Sequence, residues 1–117
     1  EQTEPEIRAW VRVDPDGARA AAERAPDGPL RGVPFGVKDI IDVAGMPTEC
    51  GTSLRRGRIA AHDAWLVDRL RHAGAVPLGK TVTTEFAYFQ PGPTRNPHHP
   101  AHTPGGSSSG SAAAVAA

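Results

Sequence analysis

The stretch Asp63-Ala64-Trp65-Leu66-Val67-Asp68-Arg69-Leu70-Arg71-His72-Ala73-Gly74-Ala75-Val76-Pro77-Leu78 decides the fold class. Leu66, Val67, Leu70 and Ala73 recur at the spacing that puts side chains on one helical face. Asp63 stands where an N-cap belongs, and Gly74 where a helix stops. Ala75-Val76-Pro77-Leu78 then reads as a short buried strand. Upstream, Val33-Pro34-Phe35-Gly36-Val37-Lys38-Asp39-Ile40 is a second apolar run. Its proline and the glycines Gly32 and Gly36 predict a strand that bends or lies close to another backbone. Strand, helix and strand in that order predict an α/β arrangement.

Working outward, Ala9-Trp10-Val11-Arg12-Val13 alternates like a strand, after a short opening segment at Glu4-Pro5-Glu6-Ile7. Asp14-Pro15 pairs an N-cap with a first-turn proline, so a helix is predicted over residues 16–25, stopped by Pro26-Asp27-Gly28-Pro29. Residues 43–58 are rich in turn formers. Residues 86–104 form a long loop carrying Pro91, Pro93, Pro97, Pro100 and Pro104. Gly105-Gly106-Ser107-Ser108-Ser109-Gly110-Ser111 follows and leads into an alanine-rich helix over residues 112–117.

The 117 residues carry 13 Lys plus Arg and 13 Asp plus Glu, so the formal charge is zero. That balance argues against a nucleic-acid footprint and against a polybasic membrane patch. Hydrophobic residues are 38% and aromatics 5%, a thin supply for an independent core. Cys50 is the sole cysteine, which excludes an internal disulfide and a cysteine-rich zinc site and fits a reducing compartment. No apolar run is long enough to predict a transmembrane helix. The terminal alanine helix has no Gly or Pro after it, and the chain opens on Glu1. The sequence therefore predicts one domain at most, incomplete at both ends.

Several patterns suggest chemistry. Residues 74–81 match the phosphate-binding pattern G-x-x-x-x-G-K-[ST], but a helix precedes them and Pro77 offers no N–H, so Lys80 and Thr81 read as the end of a buried strand. Gly106-Ser107-Ser108-Ser109-Gly110 matches G-x-S-x-G, but no strand leads in and no Asp or His follows. His98, His99 and His102 cluster without a nearby carboxylate or cysteine and read as a solvated loop rather than a metal site. Cys50 reads as an ordinary buried thiol. Lys38 in its apolar strand has two readings: an amine that snorkels to solvent, or a desolvated one able to act as a base. The Gly/Ser run reads either as a linker or as a loop whose small residues and amides, at a helix N-terminus, admit an anion or a developing oxyanion.

Lys38 and the serine run gain meaning together. Gly32-Val33-Pro34-Phe35-Gly36-Val37-Lys38-Asp39, Gly79-Lys80-Thr81, Thr84-Glu85-Phe86-Ala87, Thr94-Arg95-Asn96-Pro97 and the run from Pro104 to Ala114 keep the order and approximate spacing of five blocks. In these the chain resembles the amidase signature family over nearly its whole length. The resemblance implies an α/β mixed-sheet fold with flanking helices, truncated before the sheet is complete. Residues 1–117 would be the N-terminal part of a single amidase domain. It also implies a Ser–cis-Ser–Lys triad. Lys38 would be its lysine, and Ser107 its bridging serine after a cis peptide bond. The acylated serine and the oxyanion-hole amides would lie beyond Ala117. Gly105, Gly106, Ser108 and Ser109 would support the site loop by hydrogen bonding around it.

The residue types suit the chemistry so implied. A neutral Lys38 would draw the nucleophile's proton through Ser107, whose hydroxyl donates and accepts, and return it to the leaving amine. A serine acyl-enzyme would form and be hydrolysed, giving acid and ammonia, with the 117 residues inert by themselves. The resemblance implies a small-molecule amide substrate, no metal or organic cofactor, no direct nucleic-acid or membrane contact and a cytoplasmic location, and it leaves room for a homo-oligomer. The family also holds transamidase subunits that act on glutamine. Their usual Met-Asp-Glu-Phe block stands here as Thr83-Thr84-Glu85-Phe86, which favours a stand-alone amidase. The competing reading is a non-catalytic remnant or interaction module descended from an amidase.

Overall fold

The computed structural model describes residues 3–117. Its centre is a three-stranded sheet of β1 (Trp10–Val13), β2 (Pro34–Lys38) and β3 (Val76–Thr81), in the order β1-β3-β2. β3 runs antiparallel to β1 and parallel to β2, so the sheet is mixed. The central position of β3 matches its composition: every residue except the half-buried Leu78 is buried. A strand buried along its length in this way needs cover on both sides.

Among the described residues, four α-helices surround the strands: α1 (Glu4–Ile7), α2 (Pro15–Glu23), α3 (Trp65–His72) and α4 (Ser109–Ala116). α2 starts as its sequence predicts, with the Asp14 carboxylate accepting from the Gly17 N–H at 3.0 Å and Pro15 at the first helical position. α3 stops as predicted. Gly74 takes a φ of +96°, its N–H donates to the Arg71 carbonyl, and the Ala75 N–H reaches back to Leu70. That is the paired closure that lets a left-handed glycine satisfy the last carbonyls.

The start of α3 differs from expectation. Its N-cap is Ala64, and Asp63 does not cap it. The Asp63 carboxylate instead accepts from the Ala44 N–H at 2.7 Å and pairs with Arg71 at 2.8 Å. A backbone N–H from another segment and the charged Arg71 guanidinium have taken the place of the local cap. The helical face is also narrower than its spacing suggests, because Val67 is buried whereas Leu66 faces outward.

Two apolar clusters flank the sheet. Val37, Val43 and Val67 join β2, the following loop and α3, with Phe35, Ile41, Met46 and Ala64 packed against them. Ile7, Ala9 and Ala113 join α1, the start of β1 and α4, with Trp10 and Ala114 alongside. Each fully buried valine contributes about 1.5–3 kcal/mol. Two glycines make the second junction feasible. A Cβ on Gly79 would stand 2.1 Å from the Arg12 carbonyl oxygen, and one on Gly110 would stand 2.2 Å from that of Ala9. Backbone therefore meets backbone there, as the glycine-rich sequence foreshadows.

The long loop over residues 86–104 is pinned rather than loose. The Arg95 N–H donates to the Ile7 carbonyl at 2.8 Å, and the buried Thr94 donates its hydroxyl to the Arg8 carbonyl at 2.8 Å. A single 3-10 turn at Glu85–Ala87 opens it, with Phe86 and Ala87 both at positive φ.

Candidate active site

β2 ends at Lys38, and α4 begins two residues after Ser107. The fold brings these two ends together across 69 residues of sequence. Lys38 Nζ lies 2.5 Å from Ser107 Oγ. The contact works in either protonation state: an ammonium donates to the hydroxyl oxygen, whereas a neutral amine accepts the hydroxyl proton. Burial pushes the Lys38 amine below the ordinary lysine value of 10.5, because a charged ammonium loses hydration there. Lys38 is half-buried, so the snorkelling and desolvated readings are both partly right.

The peptide bond between Gly106 and Ser107 is cis. Gly106 sits against Thr84, where a Cβ would come within 2.7 Å of the threonine methyl carbon. The Thr84 N–H donates to the Ser107 carbonyl at 3.1 Å, which ties the serine loop to the end of the central sheet. Gly105 takes a φ of +85°, and its N–H donates to the Thr103 hydroxyl at 3.3 Å. The buried Ser109 donates to the Val82 carbonyl at 3.4 Å. Ser108 differs from Ser109. It is exposed and makes no side-chain cap on α4, and its carbonyl accepts from the Ala112 N–H. The Gly110 N–H is committed to Val82, so that amide of the helix N-terminus has no capacity left for an anion.

Next to Lys38 lies an arrangement that reading along the chain does not anticipate. Lys80, a strand end by its sequence, is completely buried. Its Nζ donates to Asp39 Oδ1 at 3.0 Å, to the Pro47 carbonyl at 2.8 Å and to Thr48 Oγ1 at 2.9 Å. All three ammonium hydrogens are thereby satisfied, the condition under which a buried charge is tolerated. Asp39 is held on every side. Its N–H bonds the Thr81 carbonyl, its carbonyl accepts from the Cys50 N–H, and its second carboxylate oxygen accepts from the Glu49 N–H. The residue following Lys38 is thus fixed to β3 and to the 47–50 turn at once. A lysine inside an apolar strand is the only signal of this in the sequence; its partner, 41 residues away, gives none.

The other candidates separate from this site. Among the described residues no group of three His, Cys, Asp or Glu side chains could hold a metal. His99 and His102 bond each other through their Nδ1 atoms at 2.7 Å on the exposed loop. Cys50 is buried, with Arg55 donating toward its sulfur at 3.5 Å. Residues 74–81 form the stop of α3 and β3, not a phosphate loop. Arg58 grips Asp42 with two hydrogen bonds, at 2.6 and 2.9 Å, and holds its carboxyl down at about 2. No helix among the described residues is long and apolar enough to cross a membrane.

Known proteins share this sequence and fold. The family model described as Amidase matches residues 1–117. The chain is 47% identical over 129 aligned residues to a glutamyl-tRNA(Gln) amidotransferase subunit from Acidothermus cellulolyticus, covering 97% of this chain and 25% of that protein. Among solved structures it superposes on the peptide amidase of Stenotrophomonas maltophilia with a TM-score of 0.85 at 42% identity, over 99% of this chain and 27% of that one. It superposes on a 6-aminohexanoate cyclic dimer hydrolase with a TM-score of 0.90 at 39% identity, over 98% of this chain and 26% of that one. The 117 residues thus span about a quarter of the length of the relatives they match.

Proposed function

The chain belongs to the amidase signature family, and we propose from this that it is the N-terminal part of a single cytoplasmic amidase domain hydrolysing carboxamides to acid and ammonia. The reading is carried by one observation, the contact between Lys38 Nζ and Ser107 Oγ. Lys38 is the base, and Ser107 is the bridge. The nucleophilic serine is supplied by sequence beyond these 117 residues.

In the proposed reaction the neutral Lys38 amine takes the Ser107 hydroxyl proton. Ser107 Oγ in turn takes the proton of the nucleophilic serine, which bonds the amide carbon. The relay then runs backward. Lys38 gives up its proton through Ser107 to the amide nitrogen, so ammonia leaves instead of an amide anion. Water enters the same relay and cleaves the acyl-enzyme. Desolvation suits Lys38 for this work because it enlarges the neutral fraction near neutral pH.

The test is ammonia release from simple carboxamides and from glutamine by the polypeptide that carries this chain. Lys38→Ala and Ser107→Ala are each expected to lower kcat by about a hundredfold or more. Lys38→Arg is expected to fail equally, since a guanidinium stays protonated. Turnover unchanged in both alanine variants sinks the assignment. Absence of ammonia release from every amide favours the competing reading, a non-catalytic interaction module.

A further inference from the structure

Away from Lys38 and Ser107, the loop over residues 96–102 brings two imidazoles together. His99 Nδ1 lies 2.7 Å from His102 Nδ1, and both residues are exposed. Two bare ring nitrogens repel, so one ring carries its proton on Nδ1 and donates it to the other. The ring centroids are 4.2 Å apart at an interplanar angle of 84°. That separation is too short for rings aimed straight at each other across such a bond, so the two nitrogens meet at a bend.

The backbone fixes the pair. The Asn96 N–H donates to the His102 carbonyl at 2.9 Å, the His102 N–H to the His99 carbonyl at 2.9 Å, and the His99 N–H to the Asn96 carbonyl at 3.1 Å. The Asn96 side-chain oxygen accepts from the His98 N–H at 2.9 Å. Pro97 and Pro100 restrict φ within the same closed loop. The bond from the Arg95 N–H to the Ile7 carbonyl then ties the loop to α1. Folding has thus already met much of the ordering cost that a ligand held between the two rings would otherwise impose.

We propose that His99 and His102 chelate a divalent transition-metal ion through their Nδ1 atoms, copper(II) first and nickel(II) next, with water in the remaining positions. Metal–nitrogen bonds are about 2.0–2.1 Å long, so nitrogens 2.7 Å apart subtend about 80–85° at the ion. That is close to the right angle between neighbouring ligands of a tetragonal ion and well short of the tetrahedral angle that zinc prefers. The bend between the rings suits chelation, because an ion bonded to both nitrogens lies off the line joining them. The proton on Nδ1 is lost to solvent and the same ring takes one up on Nε2, so both rings stay neutral and a neutral pair releases no net proton. Two side chains and solvent make up the donor set, which is distinct from a centre built of three protein ligands. His98 shares the loop but is not one of the ligands. The inference is independent of the amidase reading.

The test is a calorimetric titration of copper(II) chloride, in a non-coordinating buffer at neutral pH, into the polypeptide carrying this chain and its His99→Ala, His102→Ala and His98→Ala variants. Nickel(II) chloride is titrated in the same way. Each of the first two changes is expected to weaken one equivalent of copper binding by about tenfold or more, since a chelate becomes a single-point contact. His98→Ala is expected to leave that equivalent in place. All three positions are exposed, so Tm without metal is expected to stay unchanged. Electron paramagnetic resonance of the copper(II) equivalent that depends on His99 and His102 is expected to show an axial signal coupled to two nitrogens. Copper binding that survives both the His99 and His102 changes overturns the proposal. So does loss of the same equivalent in His98→Ala, or a signal coupled to one nitrogen only.

Discussion

Lys38 is the residue at which structure and chemistry meet most closely, and pH is the variable that interrogates it. Its amine is held below 10.5 by burial. Under the proposed amidase reading, activity is expected to rise with pH along a limb whose midpoint lies below that value, the limb reporting the free enzyme's base in kcat/KM. Stability has its own sign. The unfolded chain binds the Lys38 proton more tightly than the folded one, so unfolding free energy rises as pH moves from the depressed folded value toward 10.5. Below the folded value both states are protonated, and the full burial penalty applies. Replacing Lys38 by Met is expected to flatten that part of the stability profile, as followed by Tm against pH. Composition alone leaves the role of Lys38 open; the order of blocks around it suggests a base. Thr84 belongs to one of those blocks, but nothing in a threonine's neighbours along the chain announces that its hydroxyl will be buried without a partner.

At the scale of elements, the junction of β2, β3 and the 47–50 turn is the feature that positions the site. Lys80 on β3 binds Asp39 at the end of β2 while also holding Pro47 and Thr48. Lys80→Met leaves the Asp39 carboxylate buried without its cation, and breaking such a pair from one side costs about 3–5 kcal/mol. Adding Asp39→Leu removes the stranded charge, so the double variant is expected to recover a large part of that loss in a denaturant titration. A double variant no more stable than Lys80→Met would show that the pair matters through its hydrogen bonds to the turn rather than through charge. The sequence makes α3 and β3 readable because apolar spacing and Gly74 are local signals. Strand order, the pairing of Lys80 with Asp39 and the diversion of Asp63 to Ala44 and Arg71 are decided by segments far apart in the chain, which no local pattern encodes.

For the whole molecule, the sheet has three strands, and both outer ones present an edge. Val11 and Val13 on β1 are exposed, as are Trp65 on α3 and Val115 on α4. Exposed apolar side chains beside open strand edges favour self-association. The 117 residues expressed alone are accordingly expected to aggregate or to melt over a broad range, as measured by calorimetry with sedimentation. A sharp cooperative transition of a monomer would contradict this. The thin hydrophobic content carries that warning, although which faces lie open depends on the packing. The bond between Lys38 and Ser107 has one further consequence, in the timing of synthesis. A ribosome releases Lys38 long before the serine that will face it. Until the later segment docks, the hydroxyl that meets this amine is absent. The contact therefore dates the closing of the chain, and a lysine-directed reagent applied during refolding would read when that closure occurs.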